Sequence, residues 1–97
     1  MARALSVSRV RVRPGADAEY LAAVRELAGL AQRRGWHLWV FRRPAEPGLY
    51  LEFSESRSPD AHRSVAARPE DERRLEERIR TVAEYEPGAW DLWEEVG

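Results

Sequence analysis

The chain contains no cysteine, no lysine and no asparagine. Without cysteine there can be no disulfide, no thiolate nucleophile and no Cys-based zinc site. Without lysine there is no Schiff-base lysine, and without asparagine no catalytic amide of that type. Long apolar runs are missing too: nothing approaches the roughly 20 residues of a membrane-spanning helix. Met1 to Pro14 carries Arg3, Arg9, Arg11 and Arg13 and lacks the apolar stretch of a secretory signal. The expectation is a soluble, cytoplasmic protein with no membrane partner. No Gly-x-Gly-x-x-Gly, Walker or nucleophile-elbow pattern occurs, so neither a Gly-rich phosphate loop nor an elbow serine is expected. No His-x-x-x-His or Glu-x-x-His pair occurs, so no metal is expected.

What is present describes a folded chain. Its 97 residues, 43% hydrophobic and 34% charged, predict one domain spanning 1–97. The net charge is −1, but it is unevenly spread. Residues 1–48 hold nine Arg against four acids, and residues 49–97 hold seven Arg against thirteen. With so little net charge there is no overall pull on polyanions, and the imbalance suits two halves, or two copies, packed together.

Periodicity predicts the elements in order. Ser6 to Arg13 alternates with period two and is rich in Val, which reads as a strand ended by Pro14-Gly15. Ala16 to Arg34 reads as a helix, with Asp17 and Glu19 in its first turn and Arg33 and Arg34 in its last, complementing its dipole. Leu21, Val24, Leu27, Ala28 and Ala31 form its apolar stripe. Trp36 to Phe41 is short, aromatic and apolar, hence a second strand. Pro44, Pro47 and Gly48 make the connection to a third strand, Leu49 to Phe53. Ser58-Pro59-Asp60 starts a helical region that breaks near Arg68 and restarts at Pro69. The restarted helix carries the stripe Leu75, Ile79, Val82, with Pro87-Gly88 as its stop and Trp90 to Val96 as the last strand. The order β-α-β-β-α-β is the ferredoxin-like α+β fold: a four-stranded antiparallel sheet with two helices on one face.

Alternation also predicts faces. Val10, Val12, Leu38, Val40, Leu49, Leu51 and Phe53 are expected under the helices. Arg9, Arg11, His37, Trp39, Phe41, Tyr50 and Glu52 are then expected on the opposite face, with Trp93. So many aromatics on one face predict an interface, met most simply by a homodimer with two sheets face to face.

The runs Glu19 to Leu27, Trp39-Val40-Phe41-Arg42, Pro47 to Glu52 and Leu75 to Arg80 resemble the dimeric α+β barrel superfamily. The nearest likeness is to its antibiotic-biosynthesis-monooxygenase-like domains, including those appended to some major-facilitator transporters. The resemblance implies a homodimer with a cleft between helices and sheet. It also implies activities such as cofactor-free oxygenation of aromatic polyketides or degradation of haem. Those oxygenases use an Asn near the first strand and often a Trp just past the third. This chain has no Asn, and Ser56 or Arg57 falls at the second place. His62 lies in the region where haem-degrading relatives carry a His.

The candidate catalytic residues are His37 and His62, the chain's two histidines, since imidazole titrates near neutral pH. The candidate ligand-binding residues are Arg9, Arg11, Trp39, Tyr50 and Glu52: aromatic walls, a carboxylate, and cations for developing negative charge. Both sets also have a purely structural reading as packed or ion-paired groups. No cofactor is expected, with haem left open by His62. RNA recognition shares this element order, but Leu49 to Phe53 lacks the Gly and leading base of its third-strand signature. Nucleic acid is therefore not an expected partner. Two functions remain. One is a small homodimeric protein binding or acting on a small hydrophobic or aromatic compound, monooxygenase-like. The other is a non-catalytic dimerisation or ligand-sensing module.

Overall fold

The computed structural model describes the backbone of residues 2–65 and 67–97, and the side chains of all of these except 64 and 65. Strand β1 spans Ala4–Val12, helix α1 Asp17–Arg33, β2 His37–Arg42 and β3 Leu49–Ser56. Helices α2 (Pro59–Val65) and α3 (Glu70–Val82) follow, then β4 (Ala83–Tyr85) and β5 (Trp93–Glu94). The antiparallel sheet runs β2-β3-β1-β4, with β5 also paired to β1, and the helices cover one face. This is the expected ferredoxin-like α+β arrangement. No helix among the described residues is long and apolar enough to cross a membrane.

The core lies between the sheet and the helices. Val10 and Val12 of β1 meet Tyr20, Val24 and Leu27 of α1 and Leu75, Ile79 and Val82 of α3. The Leu75, Ile79, Val82 stripe is buried as its helical spacing requires. Gly48 shows why the β2–β3 connection needs glycine. Its φ is +86°, and a Cβ there would stand 3.1 Å from the Val12 carbonyl oxygen, held close because the Val12 N–H of β1 donates to the Gly48 carbonyl at 2.8 Å.

Two expectations need correction. The second helix does not run on to Pro87-Gly88. It ends at Val82, and Ala83–Tyr85 turns extended to pair with Val10–Val12 of β1. The Pro87-Gly88 turn instead interrupts the edge, so that β4 and β5 pair with opposite ends of β1. Between them the chain bulges, pinned by Ser8 Oγ donating to the Ala89 carbonyl at 2.6 Å. The bulge carries Trp90 over Tyr85, with ring centroids 5.0 Å apart.

The second correction concerns β3. Leu49, Leu51 and Phe53 do not lie under the helices; Tyr50 and Glu52 do, with Ser54 and Ser56. Pairing decides this: Tyr50 stands opposite Val10, and Glu52 opposite Ser8 and Val40, all residues of the helix-covered face. Leu51 is thereby opposite Arg9 and Phe41, and Phe53 opposite Val7 and Trp39. Val10, Val12, Leu38 and Val40 take the helix side as expected, and Arg9, Arg11, His37, Trp39 and Phe41 the other.

Candidate functional site

The inward positions of β1 and β3 alternate Ser6, Ser8 and Ser54, Ser56, all buried. Four small side chains under the helices leave volume that Val or Leu would fill. The result is a cleft of about 480 Å³ between the sheet, α2–α3 and the bulge, within the size range of small-molecule sites. Ser6 and Ser54 form its floor, Trp90 and Leu92 its apolar lip, and His62 and Glu76 face it from the helices. Arg63, Arg68, Arg73 and Arg80 complete the wall.

Local structure sets these groups. Ser58 Oγ accepts the Ala61 N–H at 3.1 Å and starts α2. One turn on, His62 lies with Nδ1 3.2 Å from Ser56 Oγ, which leaves Nε2 for a ligand. Burial, and then the positive charge of Arg68, hold the His62 pKa below its ordinary 6.5, so the ring is a neutral base at neutral pH. Arg68, before α3, binds Glu76 through Nε at 2.7 Å and reaches Glu72 at 3.4 Å. Glu72 is buried and is also gripped by Arg34 at 2.6 and 2.9 Å. The Arg68 guanidinium lies 5.0 Å from the centroid of the Trp36 ring.

Beneath the cleft lies a buried acid. Glu52 accepts the Tyr20 hydroxyl at 2.6 Å and the Tyr85 hydroxyl at 2.9 and 3.0 Å. Burial raises its pKa, against the two hydrogen bonds, which favour the carboxylate. The same burial, followed by the charge of Glu52, raises Tyr20 and Tyr85. Tyr50 is raised by burial and by its bond to Asp17. All of the chain's three tyrosines thus prefer the neutral form when folded, beyond the ordinary value of 10.0. Their contribution to stability is complete below pH 10 and is lost as pH rises beyond it, because only the unfolded chain then releases those protons. An alkaline titration should show phenolate absorbance appearing together with loss of far-UV circular dichroism. A tyrosine ionising near pH 10 in a chain that stays folded would contradict this.

The candidates read from sequence divide between the two faces. His62 lines the cleft, and Glu52 lies beneath it. Tyr50 is on the same side of the sheet, in the core, tilted against Tyr20 at 4.9 Å. His37, Trp39, Arg9 and Arg11 lie on the outer face. There His37 pairs with Glu55 at 3.1 Å and stacks on Trp39. Arg9 pairs with Glu86 at 3.2 Å, and Arg11 with Glu46 at 3.0 Å and Glu86 at 3.3 Å. A Glu52 pair with Arg9 or Arg11 does not form, because β3 presents Glu52 inward. Sequence reasoning missed Arg68 and Trp90 as cleft groups and Tyr85 beneath them; the period-two serines were the signal that could have found the cavity. Among the described residues, no group of three or more His, Asp or Glu is placed to hold a metal ion.

No protein-family model matches the sequence, and no curated protein matches it. Solved structures do match. One is SnoaB, a cofactor-independent oxygenase from Streptomyces nogalater: TM-score 0.80, 19% identity, covering 100% of this chain and 94% of that one. An Asn-to-Ala variant of SnoaB matches at TM-score 0.79 and 20% identity, covering 98% and 92%. A structure described as an antibiotic biosynthesis monooxygenase matches at TM-score 0.72 and 16% identity, covering 100% and 98%.

Proposed function

We propose that this chain, which has the fold of the antibiotic biosynthesis monooxygenases, binds a small aromatic compound in the cleft and oxygenates it without a cofactor. The observation that carries this is a neutral imidazole sharing one cleft with an aromatic lip and arginines. Its neighbour SnoaB, described as a cofactor-independent oxygenase, supports it.

Oxygenation without a cofactor needs a substrate that itself supplies electrons to O₂. A ring methylene conjugated to a ketone through the flanking aromatic rings does so once it loses a proton. His62 Nε2 takes that proton, and Arg68 and Arg80 stabilise the enolate left behind. O₂ is the oxidant: the CH₂ becomes C=O, and the second oxygen leaves as water with the two hydrogens. Trp90 and Leu92 hold the ring system. The absence of Asn from the chain leaves anion stabilisation to the arginines.

Oxygen uptake with anthrone tests the reading. Wild-type protein should raise uptake above buffer and yield anthraquinone, and the His62→Ala variant should lose about 100-fold in kcat, the typical loss of one general base. The rate should rise with pH along a limb centred below 6.5, where His62 becomes neutral. Uptake no faster than in buffer sinks the catalytic reading. Saturable binding without uptake would favour a ligand-sensing module. That second reading is supported by the carboxylate partners the cleft arginines already have: Arg63 with Asp60 at 2.6 Å, Arg73 with Glu70 at 2.6 Å, Arg80 with Glu76 at 3.4 Å.

The reading includes a homodimer across the outer sheet face. Trp39, Phe41 and Trp93 are 46%, 57% and 60% exposed there, and Phe41 packs edge-on against Phe53 at 5.4 Å. Around them Arg9, Arg11 and Arg3 are paired within the chain with Glu86, Glu46 and Glu95, so covering the apolar centre would not strand these charges.

A further inference from the structure

We infer that the inner end of the cleft is a subsite for a single ligand oxygen, with the Trp36 indole N–H as its donor. This deepens the aromatic-binding reading and rests on it. Trp36 precedes β2 and is 1% exposed. Its Nε1 has no hydrogen-bond partner among the described residues. A buried donor left unpaired forfeits its hydration with no return, and native chains seldom keep one without an occupant to meet it.

The occupant's size is set by the space. Trp36 lines a recess of about 10 Å³, room for one water-sized group and not for a ring. Ser54, Arg68, Glu76 and Trp90 line both this recess and the cleft, so a ring lying against Trp90 can extend one substituent inward.

The occupant's chemistry is set by the walls. Trp36 N–H and the Arg68 guanidinium can only donate, and Arg68 lies over the indole ring itself. The acidic groups there are already engaged: Glu52 by Tyr20 and Tyr85, Glu76 by Arg68 and Arg80. An ammonium or other donor would find no free acceptor among these. A carbonyl or phenol oxygen meets the unpaired Trp36 N–H. The ligand class is therefore an aromatic ring system bearing an oxygen at its edge.

Indole N–H resonances of ¹⁵N-labelled protein read this directly, with four Trp signals to follow. The probes are 1-naphthol and naphthalene, which differ by that oxygen alone. Trp36 is assigned by the Trp36→Phe variant, or by through-space contacts in wild-type protein should the variant not fold. 1-Naphthol should shift the Trp36 and Trp90 signals, and naphthalene that of Trp90 only. Trp36→Phe should weaken 1-naphthol about 10-fold, the worth of one hydrogen bond, and leave naphthalene unchanged. If both probes move Trp90 and treat Trp36 alike, the oxygen subsite is overturned while aromatic binding stands. The same holds if a water alone keeps Trp36 indifferent to both. If neither probe binds, both readings fall together.

Discussion

Replacing Glu52 with alanine should lower folding stability by about 3 kcal/mol, one of the largest losses available from a single polar side chain here. Two buried hydroxyls, Tyr20 and Tyr85, would lose their shared acceptor, at about 1–3 kcal/mol each. The removed atoms would also leave a void between sheet and helices. Relief from holding a buried carboxylate offsets part of this. Glu52→Gln keeps one acceptor oxygen and should lose only about 1 kcal/mol. Glu52 also makes a pH signature. Its folded pKa is raised above 4.5, so the folded chain holds this proton where the unfolded chain has released it. The associated stability is complete below 4.5 and is lost as pH climbs through the folded value. That slope should vanish in Glu52→Gln. Urea unfolding of the three proteins at several pH values measures both effects. Glu52→Ala within about 0.5 kcal/mol of wild type, the level of an ordinary surface change, would show that the two tyrosines find other partners.

Trp39→Asp should convert the proposed dimer to monomer while leaving the fold intact. Trp39 sits mid-strand in β2 on the outer face, opposite Phe53 and stacked with His37. Aromatic anchors at an interface centre are worth about 2 kcal/mol or more each, and each dimer would contain the change twice. The introduced carboxylate would also have to be buried. On the outer face His37, Arg9 and Arg11 already have partners, Glu55, Glu86 and Glu46. A rise of roughly 700-fold or more in the dimer dissociation constant is expected, since two such anchors together are worth about 4 kcal/mol or more. Light scattering coupled to size-exclusion chromatography over a concentration series reads it. A monomeric wild-type protein, or a variant dimer of undiminished affinity, would remove the outer face as the interface. The cleft lies on the other side of the sheet, so ligand binding by Trp39→Asp monomers would show whether one copy holds a complete site.

Much of the architecture could be read from local pattern. The Val-rich alternation of β1, the acidic start and basic end of α1, and the restart at Pro69 each carry their own physical marker. Four strands and the helical breaks therefore follow from punctuation and period. β4 had no such marker. Ala83-Glu84-Tyr85 directly continues a helical stripe, and the first stop signal comes only at Pro87. Its extended form is imposed by the open edge of β1, whose backbone groups at Val10 and Val12 take it as a partner.

The candidate site was legible only in part. His62 and Glu52 were singled out for their chemistry and do come to the cleft or its floor. Tyr50 and Glu52 were expected beside Arg9, Arg11 and Trp39, and the sheet separates them. The period-two alternation of β3 states that Tyr50, Glu52 and Ser54 share a face, and that Leu51 and Phe53 share the other. It does not state which face the helices cover. Apolar residues alone suggest Leu51 and Phe53, because a dry core is the usual cover for a sheet. Here the covered face holds a polar cleft, and the apolar set forms the outer patch. The sequence by itself determined the elements, their order and the sets of residues that travel together. The tertiary structure decided which set faces which layer, because that depends on the register of β3 against β1 and on what packs above it, neither of which is a local property of the strand.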